Sequence, residues 1–169
     1  MRMIPTLSLL VLLGALAGQA HAADTTIPDA LVAAGEKAVL TLHAEGAQVY
    51  ECKTTADGKL AWAFREPIAS LFEDGKTIGR HYAGPNWEHQ DGSIVGGRVQ
   101  GTAVGATDND IPWLKLEVVS HRGSKGALSD ITTVQRINTH GGKLDGACEA
   151  AGSFKSAPYS ADYVFLRKE

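Results

Sequence analysis

The sequence is short of cysteine, of charge of one sign and of long apolar runs, and each shortage closes off a class of protein. Its 169 residues include only two cysteines, Cys52 and Cys148, with no C-x-x-C spacing of the kind that marks metal or redox pairs. Sixteen Lys and Arg stand against 19 Asp and Glu, a net charge of -3. Nucleic acid is therefore not an expected partner, because binding it relies on basic patches that displace counterions. The apolar run Leu7–Ala17 is well short of the ~20 residues that span a bilayer. No Gly-x-Gly-x-x-Gly links a strand to a helix, which removes a dinucleotide cradle, and no Ser sits in a Gly-x-Ser-x-Gly elbow. Nothing asks for a cofactor. What remains, 44% hydrophobic and 21% charged, is a foldable globular chain long enough for one domain of ~100–200 residues.

What is there begins with an export signal. Arg2 precedes the apolar run, and Ala20-His21-Ala22 forms a small-x-small cleavage site. Cleavage after Ala22 divides the chain into a leader, residues 1–22, and a single domain, residues 23–169, delivered to the periplasm or the exterior with no membrane span. No cysteine follows the small residues to carry an acyl chain. In an oxidising compartment the two cysteines read most simply as one disulfide, whose long loop restricts the unfolded chain.

From Ala38 onward, short apolar or alternating runs are separated by turn residues such as Asp57-Gly58, Asp74-Gly75, Gly84-Pro85-Asn86, Asp91-Gly92 and His140-Gly141-Gly142. Candidate strands are 38–43, 48–53, 60–64, 77–82, 93–102, 113–121, 131–138 and 159–166. The fold class is all-β: about eight antiparallel strands in a closed barrel or a sandwich, with one short N-terminal helix at most, over Pro28–Ala34. Alternation puts Leu114, Leu116 and Val118 on one face, Tyr163 and Phe165 on another, and Trp62 with Phe64 on a third, so all seven are expected in the core. Gly97 and Gly101, four apart in a strand, are expected to mark bends or close packing.

Chemistry-bearing residues are densest from His81 to Asp91. His81, Tyr82, Trp87, Glu88, His89 and Asp91 flank a Gly-Pro turn that does not itself need them. Read as function, they form the rim of a site for a small molecule, a glycan or an envelope protein, sensitive to pH near the ordinary histidine value of about 6.5. His81, His89 and Asp91 are also the candidates for a divalent metal, and with it an enzyme. Read as structure, His81 and Trp87 are hairpin core and the rest decorate a wet loop. Arg136 is positioned in a strand to meet a buried carboxylate such as Asp162 or an anionic ligand, and Arg80 and Arg98 offer the same. A salt bridge at the sheet surface is the commoner fate of such arginines.

The runs Gln48-Val49-Tyr50-Glu51-Cys52, His81-Tyr82-Ala83-Gly84-Pro85-Asn86-Trp87-Glu88, Asp91-Gly92-Ser93, Thr139-His140-Gly141-Gly142 and Pro158-Tyr159-Ser160-Ala161-Asp162-Tyr163 resemble those of the domain-of-unknown-function 3455 family. The likeness extends from about Pro28 to Phe165. It implies an exported protein of a kind found in bacteria and fungi, with no established activity. Some fungal relatives carry a malate dehydrogenase label, which the missing dinucleotide motif contradicts here. A shorter likeness, Tyr50-x-Cys52 with a late cysteine, is similar to the membrane-bound inhibitors of C-type lysozyme and fixes no inhibitory residue.

Overall fold

The computed structural model describes residues 26–169; the leader expected at residues 1–22 lies outside them. Eight antiparallel strands form one sheet that closes into a barrel: β1 (Glu36–Thr54), β2 (Leu60–Glu73), β3 (Lys76–Tyr82), β4 (Asn86–His89), β5 (Ser93–Ala103), β6 (Trp113–Gly123), β7 (Thr133–Gly141) and β8 (Phe154–Lys168). Each strand pairs with the next, and the long β1 returns to β8 from Glu36↔Lys168 to Glu51↔Phe154. That pairing decides for a barrel. The expected helix is only a 3-10 turn, Asp29–Leu31, whose buried Leu31 carbonyl accepts from the Gln135 amide at 2.7 Å. No helix among the described residues is long and apolar enough to cross a membrane.

Residues 44–47 and 65–73, which fall between the candidate strands, are continuous strand. Gly46 lies inside β1 because the neighbouring backbone comes too close for any side chain: a Cβ there would fall 2.1 Å from the Ile68 carbonyl. Pro67 lies inside β2 next to a bulge, where the register passes from Val49↔Glu66 to Tyr50↔Phe64 and leaves Arg65 without a direct partner. Conversely, β4, taken as loop rim, is a strand of four residues. Gly97 keeps its expected role, for a Cβ on it would lie 3.0 Å from the Trp87 ring and 3.2 Å from Leu116.

Leu42, Leu71, Trp87, Val95, Leu116, Val134, Ala161, Tyr163 and Phe165 fill the interior, and Leu128 and Ile131, from the β6–β7 connection, join them. Of the seven expected core residues, Leu116, Tyr163 and Phe165 are fully buried, while Leu114 and Val118 pack partly against the cluster. Phe64 is 54% exposed and Trp62 half-buried, which corrects the expectation. The cause is local: β2 pairs with β3 only from Ala69 to Glu73, so its first half runs past the barrel wall with β1 as its strand neighbour. The Cys52–Cys148 disulfide, with Cα atoms 5.8 Å apart, staples that projecting end.

Candidate functional site

The short β3–β4 hairpin shapes an opening. β4 meets β5 only at Ile94–Gly96, so β2 before Ala69 and β5 after Gly96 both rise beyond the hairpin. The gap leads into a cavity of about 320 Å³ whose walls are Phe64, Pro67, Val99, Leu114 and Leu116 with the Gly84-Pro85 turn at its edge. Trp87, His81 and Tyr163 form its inner surface, and Arg65 and Arg136 are the charged residues that line it. Among these walls there is no carboxylate, cysteine, lysine or serine. At ~300–1,000 Å³ for ligand sites in general, this one suits a small molecule.

Register explains the aromatic cluster. His81 pairs directly with Trp87 across the hairpin, and the two rings stack at 4.6 Å between centroids and 12° between planes. Tyr163 completes the cluster, 4.9 Å from His81 and 5.4 Å from Trp87. The partner of His81 Nδ1 is the Asn86 carbonyl at 2.8 Å, so that nitrogen carries the hydrogen and donates it. Burial pushes the His81 pKa down to about 3, against the help of the Asn86 carbonyl and with the positive charge of Arg136 adding to the shift. His81 is therefore neutral at every physiological pH, and the expected sensitivity near 6.5 does not come from it. Burial likewise raises the Tyr159 and Tyr163 hydroxyls, which lie 3.3 Å apart. Trp87 Nε1 is buried without a hydrogen-bond partner.

The run from His81 to Asp91 thus splits. Of its six candidate residues, only His81 and Trp87 line the cavity. Tyr82 and Glu88 lie in a cluster with Arg80: Glu88 accepts from Arg80 Nη2 at 2.8 Å and from the Tyr82 hydroxyl at 3.2 Å, and the Arg80 guanidinium sits 5.1 Å over the Tyr82 ring. His89 and Asp91 stand at the other end of β4, 2.9 Å apart. Asp91 accepts from the backbone N–H and hydroxyl of Ser93 and from the Ala127 N–H at 2.7 Å, which anchors the connection that carries Leu128 into the barrel. Burial works to raise the Asp91 pKa, but these donors outweigh it and hold the carboxyl well below the usual range. His81, His89 and Asp91 do not converge: His81 is sealed against Trp87 while the other two sit beyond the far end of the strand. Among the described residues no group of three or more His, Cys, Asp and Glu is placed to hold a metal ion.

Arg136 lines the cavity and does not meet its suggested partner. Asp162 is bound instead to His43 Nδ1 at 3.0 Å and to the Asn138 amide at 2.8 Å, and Arg136 Nε and Nη2 donate to the Pro112 carbonyl at 3.1 and 2.8 Å. Sequence reasoning missed Gln48, Phe64, Arg65, Pro67 and Val99 as cavity walls. A proline inside an alternating run was the one local signal, since it marks a bulge.

The sequence model of the family described as protein of unknown function (DUF3455) matches residues 33–167. No curated protein and no solved structure matches the chain.

Proposed function

We propose that this chain, which belongs to the DUF3455 family, is an exported binding domain that holds one small, mostly apolar molecule in its barrel cavity. The observation that carries the reading is the composition of the walls. Apolar and aromatic side chains surround a space of about 320 Å³, and the ionisable side chains there are two arginines, a histidine held neutral and a tyrosine whose hydroxyl is raised. Such walls solvate an apolar body and supply neither a general base nor a nucleophile matched to neutral pH. A glycan, which needs several hydrogen-bonding groups facing it, fits them less well. Export is supported by the leader pattern Arg2 to Ala22 and by the disulfide.

The test is titration with the neutral fluorophore N-phenyl-1-naphthylamine. Saturable binding of one molecule per chain is expected in the wild type. Val99→Trp, which places an indole at the mouth where Val99 is half exposed, is expected to abolish it. Unsaturable uptake, or wild-type affinity in Val99→Trp, would remove the cavity from consideration. Recovery from a bacterial periplasm of a chain beginning at Ala23 checks the export half, and a chain that keeps residues 1–22 contradicts it.

A further inference from the structure

Charge inside the cavity is unbalanced. Arg65, Arg80, Arg98 and Arg167 each have a carboxylate partner: Glu66, Glu88, Glu117 and Asp130. Arg122 is on the outside, donating to Asn86 Oδ1. Arg136 forms no ion pair among the described residues. It stands opposite Tyr163 of β8 and Leu114 of β6, both cavity walls. Its partners are the Pro112 carbonyl and the Tyr163 hydroxyl, both uncharged, and its charge acts on His81, Tyr159 and Tyr163. A guanidinium carries more donors than one carbonyl and one hydroxyl take up, in a planar fork that matches an oxyanion. Arg136 is partly shielded from water at the cavity wall, where a counter-ion is worth more than at a fully exposed surface. Arg65, at the bulge in β2, also lines the cavity, but Glu66 neutralises it at 3.3 Å, which leaves Arg136 as the lining cation with no carboxylate partner among the described residues.

We propose that the molecule held in this cavity is an organic anion: a small aromatic or branched aliphatic body carrying one carboxylate or sulfonate, with the anionic group paired to Arg136. This rests on the cavity being the binding site, and adds what the site selects. The apolar body lies against Phe64, Pro67, Val99 and Leu116. The anion supplies the acceptor oxygens and the charge that the protein itself does not place there.

The experiment compares 1-anilinonaphthalene-8-sulfonate with N-phenyl-1-naphthylamine, which has the same frame without the sulfonate. In the wild type the anionic probe is expected to bind about tenfold or more tightly than the neutral one, the scale of one desolvated charge-assisted hydrogen-bonded pair. Arg136→Gln is expected to bring the anionic probe down to the affinity of the neutral one, and Arg136→Lys to keep a preference. Equal affinity for the two probes in the wild type overturns the proposal without any variant and leaves the cavity reading standing. A preference that survives Arg136→Gln but disappears in Arg65→Gln also overturns it, by moving the anion to the entrance. Failure of both probes to bind is the distinct result that removes the cavity itself. If Arg136→Gln does not fold, the wild-type ratio and Arg136→Lys still decide.

Discussion

Arg80 and Arg136 are strand arginines of one sheet, and they meet opposite circumstances. Arg80, on β3, has Glu88 directly across the strand pair, takes it through Nε and Nη2, and lies over the Tyr82 ring. Arg136, on β7, faces Tyr163 and Leu114 across its two strand pairs and finds the Pro112 carbonyl and the Tyr163 hydroxyl, but no carboxylate. The same register logic produced both. Outside, cross-strand neighbours of opposite charge satisfy each other in water, where the pairing is worth little and is easily replaced. Inside, cross-strand neighbours are apolar or aromatic because they must pack, so a charge that enters is met by the backbone, by a polar tip such as the Tyr163 hydroxyl, or by something that is not part of the chain. The two arginines thus separate an ornament of the surface from a feature of the interior.

The largest effect expected in the molecule comes from the disulfide that staples the projecting end of β1 and β2. Replacing Cys52 and Cys148 by serine opens a loop of 96 residues and removes about 4–5 kcal/mol in the chain-entropy model, less where the unfolded chain keeps structure. Denaturant unfolding measures it, and intact mass with and without reduction should differ by two hydrogens in the wild type. Next comes the interior itself. Trp87→Ala, at a residue 1% exposed, is expected to cost about 3–5 kcal/mol through lost burial and an added cavity. Val119→Ala, 53% exposed on β6, should fall within about 0.5 kcal/mol of wild type. Comparable costs at the two positions would break the inside–outside distinction.

A smaller effect distinguishes the buried histidine from a surface one. His81 has a folded pKa of about 3 against about 6.5 in the unfolded chain. Below 6.5 the unfolded state takes up a proton that the folded state refuses, so stability is fully present above that pH and declines as pH falls towards 3. At pH 5 the loss from this one group is about 2 kcal/mol. His81→Phe, which keeps a ring against Trp87, should flatten the curve of stability against pH between 7 and 5 by that amount. An unchanged slope would show His81 titrating normally. Asp91, with its pKa lowered, acts at more acidic pH in both proteins and cancels in the comparison. The smallest effect belongs to Arg80: Arg80→Gln, Glu88→Gln and the double variant should melt within a degree or so of wild type, as exposed pairs do.

How much of this was legible in the sequence follows from the period of a strand. Alternation exposed most strands and three of the core side chains outright, Leu116, Tyr163 and Phe165. It could not choose between barrel and sandwich, because both have the same period of two and the difference lies in whether Glu36–Glu51 meets the distant Phe154–Lys168. Residues 44–47 and 65–73 fall outside the candidate strands because Gly46 and Pro67 interrupt the pattern, and a bulge looks like a break until the neighbouring strand is known. The site was half legible for the same reason. A run dense in chemistry looked like one rim, but successive strand residues point to opposite faces. His81 and Trp87 went inward, Tyr82 and Glu88 went elsewhere, and His89 with Asp91 passed to the other end of β4. Arg136 was visible as a candidate and its lack of a carboxylate was not, since nothing in the sequence told that Asp162 is taken by His43 and Asn138.

The central claim is that the interior beside Trp87 and Arg136, and not the outer surface, receives a ligand. The most direct measurement is the set of indole N–H resonances of the three tryptophans in a ¹⁵N-labelled sample titrated with 1-anilinonaphthalene-8-sulfonate. Trp87 lines the cavity, and Trp62 and Trp113 do not. The expected result is a saturable shift of the Trp87 indole with the other two nearly still. Movement of Trp62 or Trp113 while Trp87 stays in place would contradict the account.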